Sequence, residues 1–325
     1  MKALSAVGQR LLQMLFVLWA VVTLLFFLFR LMPGSPLAAY IDPNFTPEQQ
    51  AALMERFGLD QPLWEQYFIY LGNLLQGDLG ESFFYRTSVA DRILALLPNT
   101  LILTFTSLIL AYVIGVLGGA YLAWKRGSVA EKISVPIVLA TRAMPEFWLG
   151  MILLAVFSFS LGWFPAGGTR PAGADYPTMW SLYTSADFWW HMTLPVLTLA
   201  IYAQGLPLLL MRSNMLDVMK EDFVTMARIK GLSSYTVVIR HAARNALLPV
   251  MTSFAIAVGY QIQGNVVVET VFSWPGLGRE LVRAVSASDY PLAQGAFLMI
   301  AVVVILMNLI ADLLYAVLDP RVTRG

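Results

Sequence analysis

The chain has 325 residues, of which 58% are hydrophobic and 13% charged. A soluble domain carries ~25% charged residues, so composition excludes a water-surrounded fold and puts the chain in a bilayer. With 21 Lys/Arg against 20 Asp/Glu the net charge of +1 gives no footing for a nucleic-acid partner, and the absence of cysteine excludes a disulfide framework, a thiolate metal site and a thiol nucleophile. Lys2 and Arg10 precede an apolar run from Leu11 to Phe29. At ~1.5 Å per residue that run spans a ~30 Å hydrocarbon core. Arg30-Leu31-Met32-Pro33-Gly34 is no small-residue cleavage site, so the run is predicted as an uncleaved first helix.

Residues 31–98 form the largest segment outside the apolar runs. Thr46 and Gln49 are placed as a capping box for an amphipathic helix through Phe57, with Gly58 as its stop. A second helix is predicted from Pro62 to about Leu75, and its Trp64, Tyr67, Phe68, Tyr70 and Leu71 suit a membrane interface. Eight acids against three Arg across 34–98 place the segment on the outer side. It is either a cap that touches a solute-binding protein or a packing collar.

Further apolar spans fall at about 100–124, 134–161, 192–211, 247–268 and 294–318, giving six with the first. An even number leaves both ends on one side. Thirteen Lys/Arg fall on the side of the termini and seven on the other, with Arg142 inside a span, so both termini are expected in the cytoplasm. The predicted fold is therefore an all-α integral membrane protein of six transmembrane helices with a helical extracytoplasmic segment between spans 1 and 2. Its parts are 1–30 (tail and first span), 31–98, and a five-helix core at 99–325. Residues 162–191 make a second outer loop, with Trp189-Trp190-His191 at its re-entry.

Several polar groups fall inside these spans. Arg142 and Glu146 stand at i and i+4 of the third, around Met144 and Pro145, and at ~2.5–3.5 kcal/mol for a charge near a helix centre neither can face lipid unpaired. They form a salt bridge within the helix, face a neighbouring subunit, or line a watery path. Gln204, Gly205 and Pro207 interrupt the fourth span, and Tyr260, Gln261, Gln263, Gly264 and Asn265 cluster in the fifth. Amides can donate and accept to a peptide-like solute, or they can bond helices together. Asn308, Asp312 and Tyr315 share a face of the sixth. Between the last two spans, Phe272 to Gly278 reads as a rigid turn built on Trp274, Pro275, Gly276 and Gly278, with a short amphipathic helix from Leu277 to Ser286 and Asp289-Tyr290-Pro291 after it.

The interval from Arg212 to Leu248 is polar, with six Lys/Arg (Arg212, Lys220, Arg228, Lys230, Arg240, Arg244) against three acids. Asp222 to Lys230 is a helix sequence with acids first and bases last, and Gly231 follows where a C-cap glycine belongs. Ser233 or Ser234 can cap a second helix carrying Val237, Val238, Ala242 and Leu248 at helical spacing. Two short helices meeting at a glycine make a compact knob suited to passing force to a partner; the other reading is a solvated loop whose charges only set orientation. No Gly-x-x-x-x-Gly-Lys-Ser/Thr loop occurs, His191 and His241 are the only histidines and lack metal-site spacing, and no serine sits in Gly-x-Ser-x-Gly. A metal site and a membrane enzyme are not expected.

The runs DFVTMARIKGL, HAARNALLPV, VFSWPGLG and DYP, with MPGSP, GLDQPLWEQY and GDLGES upstream, resemble the first membrane permease subunit of the dipeptide/oligopeptide/nickel family of binding-protein-dependent ABC importers. The resemblance implies a bacterial inner-membrane protein whose cytoplasmic loop docks into an ATPase subunit through a Glu-Ala-Ala…Gly signature. Ala227 and Gly231 match the second Ala and the Gly, whereas Thr225 and Met226 replace the Glu and first Ala. It implies that Asp222, Phe223, Ala227, Arg228, Lys230, Gly231 and Leu232 form the ATPase-coupling surface. Arg142, Glu146, Gln204, Gln261, Gln263 and Asn265 are then candidates for the translocation path, with the Trp274 to Gly278 motif near its outer mouth. The implied partners are a second homologous permease, two ATPase subunits that hold ATP and Mg, and an extracytoplasmic solute-binding protein; no cofactor is expected on this chain. The rival is a self-sufficient secondary transporter or channel coupled through Glu146 and Asp312.

Overall fold

The computed structural model describes residues 2–31, 46, 48 and 60–318, without the side chains of 2–7, 9, 11, 259, 262–264 and 312–318. The expected capping box and helix at 46–58 lie outside the described residues, as do the side chains of Gln263 and Asp312. The described residues are helical, with one isolated bridge between Glu81 and Ser88.

Helix α1 (Lys2–Arg30) is continuous, and α2 (Leu63–Leu75) follows the undescribed segment. Helix α3 (Val89–Trp124) is 36 residues long and starts eleven residues before the apolar run, because Ser88 and Val89 already open a helix that Pro98 does not break. The third predicted span is not one helix. It consists of α4 (Val129–Ala143) and α5 (Glu146–Leu153), the latter continued by a π-helical stretch Leu154–Ser160, and the two parts meet at 108°. Pro145 explains the break: it disfavours helical geometry in the residue before it, and Met144 is extended at φ −76°, ψ 144°. Arg142 and Glu146 are therefore on different helices, and among the described residues they form no ion pair with each other.

After α6 (Met179–Tyr183), the fourth span is bent by 41° between α7 (Ala186–Ala203) and α8 (Gly205–Val218), with Gln204 at the joint. Then come α9 (Asp222–Ile229), the single turn α10 (Ser234–Thr236), a π-helical stretch Val237–Ala243, and α11 (Arg244–Val271). The second half of the expected knob is thus no separate helix; it runs on into α11. Helices α12 (Leu277–Ser286) and α13 (Tyr290–Leu318) complete the chain. Among the described residues three helices are long and apolar enough to cross a membrane, or up to five if each bent pair counts as one span.

The chain divides into two units, 1–98 with 276–305 and 99–275 with 306–325. In the first, Val22, Leu25 and Phe29 of α1 pack with Val89 and Ile93 of α3, Leu277 and Leu281 of α12, and Leu292 and Ala296 of α13. Gly295 permits the close approach of α13, since a Cβ there would lie 2.6 Å from Val89 Cγ1. The buried Asp289 carboxylate accepts from Ser82 Oγ and the N–H groups of Phe83, Phe84 and Leu292, which fixes the GDLGES turn to the start of α13. In the second unit, the glycine face of α3 receives α8: a Cβ on Gly119 would be 2.4 Å from the Leu208 carbonyl oxygen. Any side chain there would push the two helices apart.

Candidate functional site

The knob begins where α8 ends. Val224 and Ala227 on the inner face of α9 pack with Val237 and Val218, and these four residues form a small core of their own. Gly231 at φ 78° closes α9: its N–H donates to Arg228 O (2.9 Å) and the Leu232 N–H reaches back to Ala227 O (3.3 Å), a Schellman closure that needs a left-handed residue. Ser233, one of the two serines able to cap, accepts the Thr236 N–H at 3.2 Å. Next to this, Val238, Ala242 and Ala246 pack with Met211 and Met215 of α8 and Leu108, Tyr112 and Ala123 of α3.

The outward face of the knob is also apolar. Phe223, Met226 and Ile229 recur every third residue along α9 and are 43%, 57% and 74% exposed, with Leu232 and Tyr235 beyond them at 40% and 64%. Asp222, Arg228 and Lys230 flank this row and are exposed as well. Water-facing charges alone would orient a loop. A row of large apolar side chains over an already filled inner face is surplus to folding, and is what an interface leaves uncovered in a lone subunit.

At the bend of the third span, the aliphatic stem of Arg142 lies across Gly205, where a Cβ would fall 2.4 Å from Arg142 Cδ. Arg142 is thereby brought beside the Gln204 joint. Glu146 opens α5, and among the described residues its buried Oε1 accepts no hydrogen bond. Gln261 is half-buried in α11.

Toward its end, α11 meets α3 through a buried polar ladder. Asn265 Nδ2 donates to Thr104 Oγ1, Thr100 Oγ1 donates to Glu269 at 2.7 Å, and Thr104 Oγ1 donates to Thr100 O. Asn99 Nδ2 then donates to Pro275 O (2.7 Å) while Trp274 Nε1 donates to Asn99 O (3.2 Å). Trp274 is fully buried against Phe188. Glu269, fully buried, escaped the sequence reading; the signal was there, since Asn265 and Glu269 stand at i and i+4 facing Thr100 and Thr104 at the same spacing. Among the described residues no cluster of His, Cys, Asp or Glu could hold a metal ion.

The described residues build a helical membrane protein by length and apolarity, with bent spans, a glycine-packed helix pair and a capped knob. The chain belongs to the binding-protein-dependent transport system inner membrane components: that family matches residues 115–324, and its N-terminal companion family matches residues 4–104. It is a permease subunit of a binding-protein-dependent ABC importer in the inner membrane, and the reading as a self-sufficient transporter is not favoured. It is 40% identical to the di/tripeptide transport system permease protein of Pseudomonas aeruginosa, with 98% of each chain covered. It is 37% identical to the glutathione transport system permease protein of Escherichia coli K12, over 98% of this chain and 99% of that one. An inward-facing structure of the MetNI methionine ABC transporter shares the fold, with a TM-score of 0.52 at 14% identity over 70% of this chain and 96% of the other.

Proposed function

We propose that this permease forms half of a translocation path for di- or tripeptides or similar small solutes, and that α9 with its Gly231 closure is where an ATPase subunit grips it. The observation that carries the docking reading is the exposed row Phe223, Met226, Ile229 and Leu232 above the seated Val224 and Ala227. Two such ATPase subunits hold ATP and Mg, and their closure moves the knob as a rigid lever and changes the side to which the path opens. A second homologous permease completes the path, and a solute-binding protein delivers solute near the Trp274 to Gly278 turn.

Six spans with both termini in the cytoplasm fit this arrangement. Helix α11, at 28 residues, is long enough to be the fifth span and bring the number to six, and its amides suit a path wall better than a lipid face. Arg142, Glu146, Gln204, Gln261 and Gln263 are the groups that would meet solute; the names of the two relatives motivate the solute class. The test is uptake of radiolabelled dialanine into vesicles holding this chain alone, or this chain with its partner permease, ATPase subunits and binding protein. Uptake is expected only in the full assembly and only with ATP. Uptake by the lone chain driven by an ion gradient would refute the reading.

A further inference from the structure

Glu131 and Arg212 are 81 residues apart in sequence and meet in a part-buried ion pair, with the Arg212 side chain 28% exposed and that of Glu131 10%. Arg212 donates to Glu131 Oε1 through Nε at 2.8 Å and also through Nη2. The second oxygen, Oε2, accepts the backbone N–H of Gly127, the left-handed glycine (φ 81°) of the turn before α4. One carboxylate therefore ties together the turn, the first turn of α4 and the side of α8. Glu131 is 8% exposed, so removing Arg212 leaves a poorly hydrated carboxylate.

The contacts that follow set an antiparallel register. Val138 of α4 packs with Leu208 of α8, and farther along α4 the Arg142 stem crosses Gly205. On another side α8 is seated on the glycine face of α3. Only Met219 to Glu221 separate α8 from the knob helix α9. Motion of the knob thus reaches α8 through this short link, as it reaches α11 through Val237, and α4 ends at the 108° bend that carries Arg142 and Glu146. Between α4 and α8 the apolar contact is small, and helices joined by so little can slide.

We propose that Glu131 and Arg212 are positioning residues for transport: a strap that stays closed through the cycle and makes α4 follow α8, so that displacement of the knob arrives at the Arg142/Glu146 bend. This rests on the docking reading above for its source of motion. A pair serving only assembly would leave α4 and α8 moving together without it.

The chain has no cysteine, so Val129→Cys and Asp217→Cys, both at exposed positions, can carry spin labels in the assembled complex with ATPase subunits whose own cysteines are removed. The distance between the labels is read by pulsed electron resonance without nucleotide and with ATP trapped by vanadate. With the strap intact the distance stays the same in both states. In Glu131→Gln it shifts or broadens on trapping, and ATP-driven dialanine uptake falls while ATP hydrolysis persists; Arg212→Lys, which keeps a donor, stays close to the parent. A distance that changes with nucleotide in the parent overturns the proposal, as does one that holds in assembled Glu131→Gln. Docking is read in parallel samples in which Met226→Cys is the one thiol of the permease, with and without Glu131→Gln, from its protection by the ATPase subunits, so loss of protection would indict the docking reading and not the strap.

Discussion

The knob at 222–232 and the turn at 272–275 are both built from large apolar side chains beside a tight backbone reversal, and they dispose of those side chains in opposite ways. In the turn, Phe272 and Trp274 are buried, Trp274 Nε1 donates to the Asn99 carbonyl, Asn99 Nδ2 donates to the Pro275 carbonyl, and the Phe272 carbonyl accepts from Gly168. In the knob, only Val224 and Ala227 are covered. The turn packs its large side chains within the chain, whereas the knob leaves its outer row uncovered. Rigidity and incompleteness are thus assigned to different places, as expected of a subunit that holds its own helices together but receives force from outside.

If that contrast is right, damage to the turn should register as stability and damage to the knob as partnership. Trp274→Ala should have the largest effect, destabilising by about 3–5 kcal/mol through the cavity left by a fully buried indole and the lost bond to Asn99, read as a lower unfolding temperature in detergent. Gly231→Val comes next. Nothing lies within 4 Å of a Cβ there, so its cost of about 1–2 kcal/mol is purely that of forcing a β-branched residue to φ 78°. The variant should insert and assemble, yet hydrolyse ATP without proportionate uptake; normal uptake would remove the lever from the account.

Asn265→Ala, which breaks the bond to Thr104, should destabilise by about 0.6 kcal/mol, the average for hydrogen bonds between membrane helices, in the same melting assay. Ile229→Ser is the mildest for the chain itself, within about 0.5 kcal/mol, because that side chain is exposed. It should nevertheless reduce the amount of ATPase that copurifies. Should Ile229→Ser melt the protein instead, the knob would be part of the core and the contrast would collapse.

Much of this was legible in the residues. The order of acids and bases in α9, Gly231 and Ser233 are local signals, and the backbone obeys them. Pro145 was visible too, but a proline in an apolar run announces a break without its angle, and the 108° between α4 and α5 depends on what each half packs against. That bend separated Arg142 from Glu146, which a straight helix would have set on one face. The strap could not be read, since no periodicity links Glu131 to Arg212. Glu269 was hidden differently: with Asn265 it continues a polar face of α11 that the sequence alone leaves open to a solute or to another helix, and only the facing Thr100 and Thr104 decide where Glu269 and Asn265 go.

If the exposed face of α9 is an ATPase seat, a single photo-crosslinker at Ile229 in the assembled complex, in inside-out membrane vesicles, should form a covalent adduct with the nucleotide-hydrolysing subunit, and the adduct should be lost when that subunit is omitted. Adducts with lipid alone, or a residue 229 reachable only from the opposite side of the membrane, would contradict it.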